Sequence, residues 1–329
     1  MGSAVLKLLQ EADGVFLSGE SMSQQLGITR AAVWKQVNRL RQNGYEIEAT
    51  TNLGYRLIAV PDAMDPKKIA ALLGEHPWKD RITVLETVDS TNSLAKRMAL
   101  NGAPHGSIFL ADEQTGGRGR QGRSFVSPRG TGIYLSVLLR PDALPTDLGH
   151  VTAMAAVAGC NAVEAVCGIR PGVKWMNDLI LDGKKLCGIL TEMSVEWESN
   201  ALEYLVIGIG INCNHSECDF PEDIRSKATS LNQVIGKRVD RDSLAATLIA
   251  ELYRLNLDIL SGKTQWISQY AQDCITIGQS IKITRGNSIR LAQATGIDEN
   301  AALLVRYDTG ETGVVFSGEV SIRGINGYI

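Results

Sequence analysis

The sequence predicts an α+β multidomain protein with three parts. These are an N-terminal winged helix-turn-helix, a central α+β domain with a mixed sheet, and a small barrel-like β domain at the end. Three observations carry this. The first sixty residues pass from helical periodicity to two alternating strands around Asn52-Leu53-Gly54. The middle mixes an Ala/Val-rich helical run, Leu148 to Cys167, with strand-like runs such as Ile133 to Leu139. From Ile275 onward short strands recur between turn tripeptides. At 329 residues the chain is too long for one small core. The expected boundaries are 1–64, 65–272 and 273–329.

In the first part, Leu6, Leu8, Leu9 and Phe16 are the apolar residues of the opening segment. Ser18 to Ser21 open a short helix through Leu26. After Gly27-Ile28, Thr29 suits the N-cap of a helix from Arg30 to Asn43, which Gly44 ends. Val33, Val37 and Leu40 fall at i, i+4 and i+7, so one stripe is buried. The remaining faces carry Arg30, Trp34, Lys35, Asn38, Arg39 and Arg41 with no acidic residue. Tyr45 to Ala49 and Tyr55 to Ile58 then alternate as strands. Two helices across a glycine turn followed by a hairpin describe a winged helix-turn-helix, with the second helix as the reader of DNA. Arg30, Trp34, Lys35, Asn38 and Arg39 are the candidate DNA-facing positions. Pro61-Asp62-Ala63-Met64-Asp65-Pro66 reads as a stiff linker.

In the central part, Asp89 to Leu100 reads as a helix entered through Ser90 or Thr91. Gly106 to Ala111 reads as a strand. Leu179 to Leu181 and Leu186 to Leu190 flank Asp182-Gly183, a two-residue hairpin signal. Tyr204 to Ile211 is another strand and Arg241 to Ser261 another helix, so helices lie largely on one side of a sheet. The last part has turns at Arg285-Gly286-Asn287, Asp298-Glu299-Asn300 and Asp308-Thr309-Gly310.

Net charge is −3, so nucleic-acid contact must come from a local basic surface. Met1 to Gln10 lack the pattern of a signal peptide, and no uninterrupted apolar run approaches membrane-spanning length. The six cysteines form no CxxC pair. Cys213, His215 and Cys218 lack a fourth zinc ligand. Reduced thiols and a cytoplasmic location are the expectation, with no protein metal site.

The densest chemistry lies in Gly116-Gly117-Arg118-Gly119-Arg120-Gln121-Gly122-Arg123, three arginines and four glycines without an acid. Glycine lets backbone approach a ligand, and arginine pairs with carboxylate and phosphate. Gly117-x-Gly119-x-x-Gly122 matches the dinucleotide fingerprint literally. That reading fails, because the fingerprint requires a helix directly after it, and Phe125 to Gly130 contains a proline and leads into a strand.

Five segments occur in order: Asp89-Ser90-Thr91-Asn92, Gln114 to Arg120, Lys174-Trp175-Met176-Asn177-Asp178, Gly183 to Leu190, and Gly208-Ile209-Gly210-Ile211-Asn212. Together they resemble the bacterial biotin protein ligases, and the segment before residue 64 resembles the DNA-binding domain of the bifunctional members, the biotin operon repressors. The resemblance implies a three-part layout ending in an SH3-like β-barrel. It implies ATP-dependent activation of biotin to biotinyl-5'-AMP, with Mg²⁺ accompanying ATP. The biotin then passes to a lysine of the biotin carboxyl carrier protein of acetyl-CoA carboxylase and other biotin carboxylases. It further implies binding of biotin-operon operator DNA, with biotinyl-5'-AMP as corepressor and a homodimer when adenylate is bound.

The residues fit that chemistry. Adenylating a carboxylate brings two anions together, so fixed cations and excluded water matter more than a covalent nucleophile. Arg118 and Arg120 can bracket carboxylate and phosphate, and Lys185 can place a point charge from a strand. The resemblance assigns Ser90, Thr91, Asn92 and Gln114 to the ureido ring of biotin. It assigns Arg118, Gly119, Arg120 and Lys185 to the carboxylate and adenylate phosphate, and Gly188, Ile189, Gly208 and Gly210 to the pocket lining. Phe125, Asn177, Asn212 and Lys282 are placed toward ATP or adenylate. Asp178 would position Mg-ATP or the incoming lysine. The plainer readings are a helix cap for Ser90-Thr91-Asn92, a solvated lysine for Lys185 or Lys282, and a turn for Asn177-Asp178.

Two positions depart from the family pattern. Phe125 stands where tryptophan is usual and loses the indole N–H. Met176 replaces the usual proline after Trp175. Two other functions remain open: a repressor that senses a small acid without catalysis, and a lipoate–protein ligase. Three cations retained together argue against the first. The DNA-binding segment and Lys-Trp-x-Asn-Asp argue against the second.

Overall fold

The structure, a computed structural model, describes residues 4–42, 45–59, 63–196, 198, 200–286, 288–316 and 320–324. Asn43 and Gly44 at the expected helix end, Pro61 and Asp62 of the expected linker, and Asn287 of an expected turn lie outside them. The chain divides into two units, Met1–Ala63 and Met64–Ile329.

The first unit contains α1 (Ala4–Glu11), α2 (Gly19–Leu26) and α3 (Arg30–Gln42), then strands β1 (Glu46–Thr50) and β2 (Gly54–Ala59). Caps set the helix starts. Ser18 Oγ accepts from Ser21 N at 3.0 Å, and Thr29 Oγ1 accepts from Ala32 N at 3.2 Å. Val33, Val37 and Leu40 are buried together with Val5, Leu9, Met22 and Ile47. The two strands pair antiparallel, with Thr50 opposite Gly54. Phe16 falls after α1, and the Arg56 guanidinium covers its ring at 4.6 Å.

The second unit opens with α4 (Pro66–Leu73), β3 (Ile82–Leu85), α5 (Thr91–Leu100), β4 (Ser107–Ala111), β5 (Gly132–Leu139) and α6 (Val151–Cys167). Strands β6 (Gly172–Lys174), β7 (Asp178–Leu181), β8 (Lys184–Val195) and β9 (Leu202–Asn212) follow. Helices α7 (Glu222–Arg225), α8 (Leu231–Ile235), α9 (Arg241–Asp258) and α10 (Lys263–Asp273) come next. The seven strands form one sheet in the order β3-β4-β5-β9-β8-β7-β6. Only β3 and β4 are parallel, so the sheet is mixed. Asp182 and Gly183 turn β7 into β8 with φ of 48° and 71°, left-handed values that the Asp-Gly pair tolerates.

Strand alternation divides this sheet into two unlike faces. Ile133, Leu135, Val137 and Leu139 of β5, with Ile207, Ile209 and Ile211 of β9, join the buried core beside residues of α6 and α9. The intervening residues face the other way, where α5 packs Ala95 and Ala99 on Phe109, Leu138 and Val206. Helix α6 starts at Val151 rather than Leu148, after a single 3₁₀ turn. The stretch Pro145–Cys167 is long and apolar enough to cross a membrane by length and composition; polar residues such as Asp147, His150, Asn161 and Glu164 interrupt it, and it is mostly buried in the core.

The last strands are β10 (Ser280–Arg285), β11 (Ser288–Ile297), β12 (Leu303–Tyr307), β13 (Thr312–Val315) and β14 (Val320–Gly324), an antiparallel sheet in the order β13-β12-β11-β10-β14. Its apolar residues Ile281, Ile283 and Leu303 belong to the same core as the seven-stranded sheet. Trp175 ties the two together. Its indole donates to Ala301 O at 3.0 Å and its backbone N to Thr276 Oγ1 at 2.9 Å.

Candidate functional site

A cavity of about 630 Å³ opens on the α5 face of the sheet, within the range of small-molecule sites. Two glycine-bearing rungs form its floor. In one, Ser136 of β5 pairs with Gly208 of β9, which pairs with Leu190 of β8. In the next, Tyr134 pairs with Gly210, which pairs with Gly188. A side chain lies across each rung. A Cβ on Gly208 would overlap the Asn92 amide oxygen, and one on Gly210 would come 2.6 Å from the Phe125 ring. The glycines are therefore required by close approach of these two side chains.

Helix α5 delivers the polar end. Ser90 caps it, accepting from Ser93 N. Arg97 grips Asp89 through Nη1 and Nη2 at 2.8 and 2.9 Å, which holds the Asp89 carboxyl down at about 2. Thr91 N donates to Gln114 Oε1 at 2.8 Å, and Gln114 Nε2 donates to Ser127 Oγ at 2.9 Å. Ser90-Thr91-Asn92 thus open a capped helix and line the cavity at once.

The Gly/Arg segment folds back on itself. Gly119 N donates to Arg123 O, Arg123 N to Arg120 O, and Phe125 N to Gly117 O. Arg120 Nη1 donates to Asn177 Oδ1 at 3.3 Å, and Asn177 Nδ2 donates to Ile189 O at 2.9 Å. Burial lowers the Arg120 pKa, opposed by the Asp178 carboxylate. Arg118 is exposed at the rim.

Lys185 is held from both sides. Its N–H donates to Lys227 O at 2.8 Å, and its carbonyl accepts from Thr229 N at 2.9 Å. Its Nζ lies 2.7 Å from Asp178 Oδ1 and 3.2 Å from where a Gly188 Cβ would stand. The Lys185 side chain is 30% exposed and paired with this carboxylate.

Most sequence-predicted site residues therefore come together around one cavity: Ser90, Thr91, Asn92, Gln114, Arg118, Gly119, Arg120, Phe125, Asn177, Asp178, Lys185, Gly188, Ile189, Gly208 and Gly210. Ile189 offers backbone, since its side chain is in the core on the opposite face. Two predicted residues, Asn212 and Lys282, stand apart from the cavity lining. Asn212 is buried and donates to Thr229 O at 2.9 Å, bracing the segment beside Lys185. Lys282 is exposed on β10 and does not line the cavity.

Sequence reasoning missed Lys174, Lys227 and Asp223, which also line the cavity. It missed Ser136 as well, whose signal was available: it is the one hydroxyl in Ile133-Tyr134-Leu135-Ser136-Val137-Leu138-Leu139 apart from Tyr134. The Trp175–Met176 peptide is cis. Among the described residues no group of three or more His, Cys, Asp or Glu forms a metal site.

In the first unit, Arg30, Trp34, Lys35 and Arg39 are exposed on α3, and Asn38 is half-buried beside them. Trp34 is 59% exposed, unusual for so large an apolar ring. Arg41 turns away, donating through Nε and Nη2 to Ile47 O.

Residues 84–212 match the biotin/lipoate A/B protein ligase family, residues 3–56 an HTH domain, and residues 276–323 the biotin protein ligase C terminal domain. The chain is 35% identical to the bifunctional ligase/repressor BirA of Bacillus spizizenii over 307 residues, covering 93% of this chain and 94% of that one. It is 30% identical to BirA of Escherichia coli, covering 95% and 94% respectively. Among solved structures, it resembles the biotin protein ligase from Aquifex aeolicus in complex with biotin and ATP. That likeness has a TM-score of 0.64 at 28% identity and covers 74% of this chain and 99% of the other.

Proposed function

This chain belongs to the bifunctional biotin protein ligase/repressor family, and from that premise we propose how its residues divide the work. It is a biotin protein ligase with a helix-turn-helix repressor domain, and it binds biotin and ATP. The observation that carries the reading is the joining of Lys185, Arg120 and the two glycine rungs in one cavity. Biotin lies over the rungs, its ureido ring toward Ser90, Thr91, Asn92 and Gln114. Its carboxylate oxygen attacks the α-phosphorus of ATP, and pyrophosphate leaves. Arg118, Arg120 and Lys185 oppose the charge that builds on the phosphoryl oxygens. The acceptor lysine amine then attacks the acyl carbon, AMP leaves, and biotin becomes an amide on the carrier domain.

Magnesium fits as a companion of the nucleotide. The carboxylates lining the cavity are Asp178 and Asp223, and such an ion is commonly held by one or two carboxylates plus phosphates. Bound there by Asp178 and Asp223, it would supply charge neutralisation to the phosphates. Asp178 also holds Lys185 in place, so its removal should disturb both.

The hairpin β1–β2 serves as the wing of a winged helix-turn-helix, and the five-stranded sheet as an SH3-like barrel. We keep 1–64, 65–272 and 273–329 as the functional segments. Helix α3 faces operator DNA through Arg30, Trp34, Lys35, Asn38 and Arg39. One such helix reads a short half-site and binds weakly at physiological salt. A homodimer formed with biotinyl-5'-AMP would present two. Linkage then requires dimerisation to tighten adenylate binding by the same factor.

Two assays test this. With ATP and Mg²⁺, biotin should drive pyrophosphate release and lipoate should not; the reverse preference overturns the pocket assignment. Fluorescence anisotropy on a biotin-operon promoter fragment should show binding that strengthens when biotin and ATP are added. Equal binding without them makes the helix-turn-helix a constitutive anchor.

A further inference from the structure

The Asn92 side chain is spoken for. It lies across the rung Ser136–Gly208–Leu190, touching all three strands at one level. Its Oδ1 accepts from Ser136 Oγ at 2.6 Å. Its Nδ2 donates to Leu190 O at 3.1 Å and to Glu192 Oε2 at 2.9 Å. An amide has two N–H donors and two acceptor lone pairs. Both donors are used inside the protein, and one lone pair remains for a ligand.

What fixes this orientation is the chemistry of its neighbours. A carbonyl and a carboxylate on one side accept only, so the NH₂ must face them. Ser136, fully buried, supplies the donor on the other side. It also reaches Thr91 Oγ1 at 2.8 Å, tying two residues of the cavity wall to one hydroxyl. The Glu192 carboxylate is itself held by Lys96, whose Nζ lies 2.5 Å from Oε1. Lys96 is one helical turn beyond Asn92, so both side chains drop from the same face of α5 onto β8. The arrangement staples the helix N-terminus to the strand, uses both amide donors inside the protein and leaves Oδ1 a second lone pair, on a residue that lines the cavity.

From this we infer that Glu192 and Ser136 are positioning residues for the biotin ureido ring, acting through Asn92. The inference rests on the biotin reading above. A ureido ring offers two N–H donors. Asn92 Oδ1 meets one of them only while the amide is held in this sense. In Glu192→Gln, Lys96 claims the introduced carbonyl and turns the introduced NH₂ toward Asn92. Two donors cannot face each other, so Asn92 flips and sets a donor against the ureido N–H.

The test uses the full-length protein and initial rates of pyrophosphate release. Glu192→Gln should raise the biotin KM about tenfold, with the ATP KM and the rate at saturating biotin within about twofold of the parent. Ser136→Ala, which deletes only a hydroxyl, should raise the biotin KM several-fold and leave ATP unaffected. Adding Lys96→Met to Glu192→Gln frees the introduced carbonyl to face Asn92, and should recover most of the loss. Movement of both KM values together, of neither, or no recovery in the double variant overturns the positioning role while the biotin reading stands. A parent without biotin-dependent pyrophosphate release overturns the biotin reading, and this inference with it.

Discussion

The two faces of the seven-stranded sheet are made by the same strands and do opposite things. On β9, Ile207, Ile209 and Ile211 enter a core they share with α6 and α9, while Gly208 and Gly210 between them floor the cavity. On β5, Ile133, Leu135 and Val137 are core, while Ser136 faces Asn92. One face is continuous apolar contact. The other packs α5 on Phe109, Leu138 and Val206 at one end and offers bare backbone, fixed amides and cations at the cavity. A period of two lets stability and chemistry be specified independently along one strand.

The largest expected effect falls on the site face. Lys185→Ala should abolish adenylate formation at any biotin concentration, because it removes the point charge that Lys227, Thr229 and Asp178 hold in place. Its melting temperature should stay near that of the parent. Near-parental pyrophosphate release would remove Lys185 from the chemistry and blur the division between faces. Next is the core face. Ile207→Ala should cost about 2–5 kcal/mol by denaturant unfolding, with the biotin KM unchanged. A raised biotin KM at moderate loss of stability would show that the faces are coupled.

A smaller effect concerns pH. His215 is fully buried, stacked on Phe220 at 5.0 Å and 3.1 Å from Thr131 Oγ1. Burial pushes its pKa from 6.5 down to about 4, against the pull of Asp219. The folded state therefore stays neutral where the unfolded chain takes up a proton. The His215 contribution is full above 6.5 and is lost as pH falls toward about 4. Unfolding midpoints between those limits should decline less steeply in His215→Gln than in the parent. Parallel declines would assign the acid sensitivity elsewhere. The smallest effect is Phe125→Trp, which restores a donor on the ring beside Gly210 and should tighten biotin binding or leave it unchanged, read by calorimetry. Marked weakening would show that the second rung has no room for the larger ring.

What the sequence made legible was local. Ser90 and Thr29 cap the helices they precede, and Asp182-Gly183 makes its hairpin. Those outcomes depend on neighbours a few residues away. The cation-rich loop and Lys185 were legible because few structural roles need that composition. What the sequence does not display depends on pairing across the chain. Lys282 sits on an exposed strand position that its own neighbourhood does not reveal. Asn212 is turned into a brace by Thr229, and Lys227 reaches the cavity because its carbonyl meets Lys185 N. Ser136 matters through strands β9 and β8, which lie some seventy and fifty residues further on. No window of sequence contains that row.

The most direct test is a matched pair of neighbours on β9, Gly208→Ala and Ile209→Ala, measured for biotin KM and melting temperature. Gly208→Ala drives a methyl into the Asn92 amide, so the biotin KM should rise at least tenfold, with a smaller fall in melting temperature than Ile209→Ala causes. Ile209→Ala leaves a hole in the core, so the melting temperature should fall clearly with the biotin KM near parental. If each variant loses both properties in proportion, the two faces are one cooperative structure and the division proposed for them is wrong.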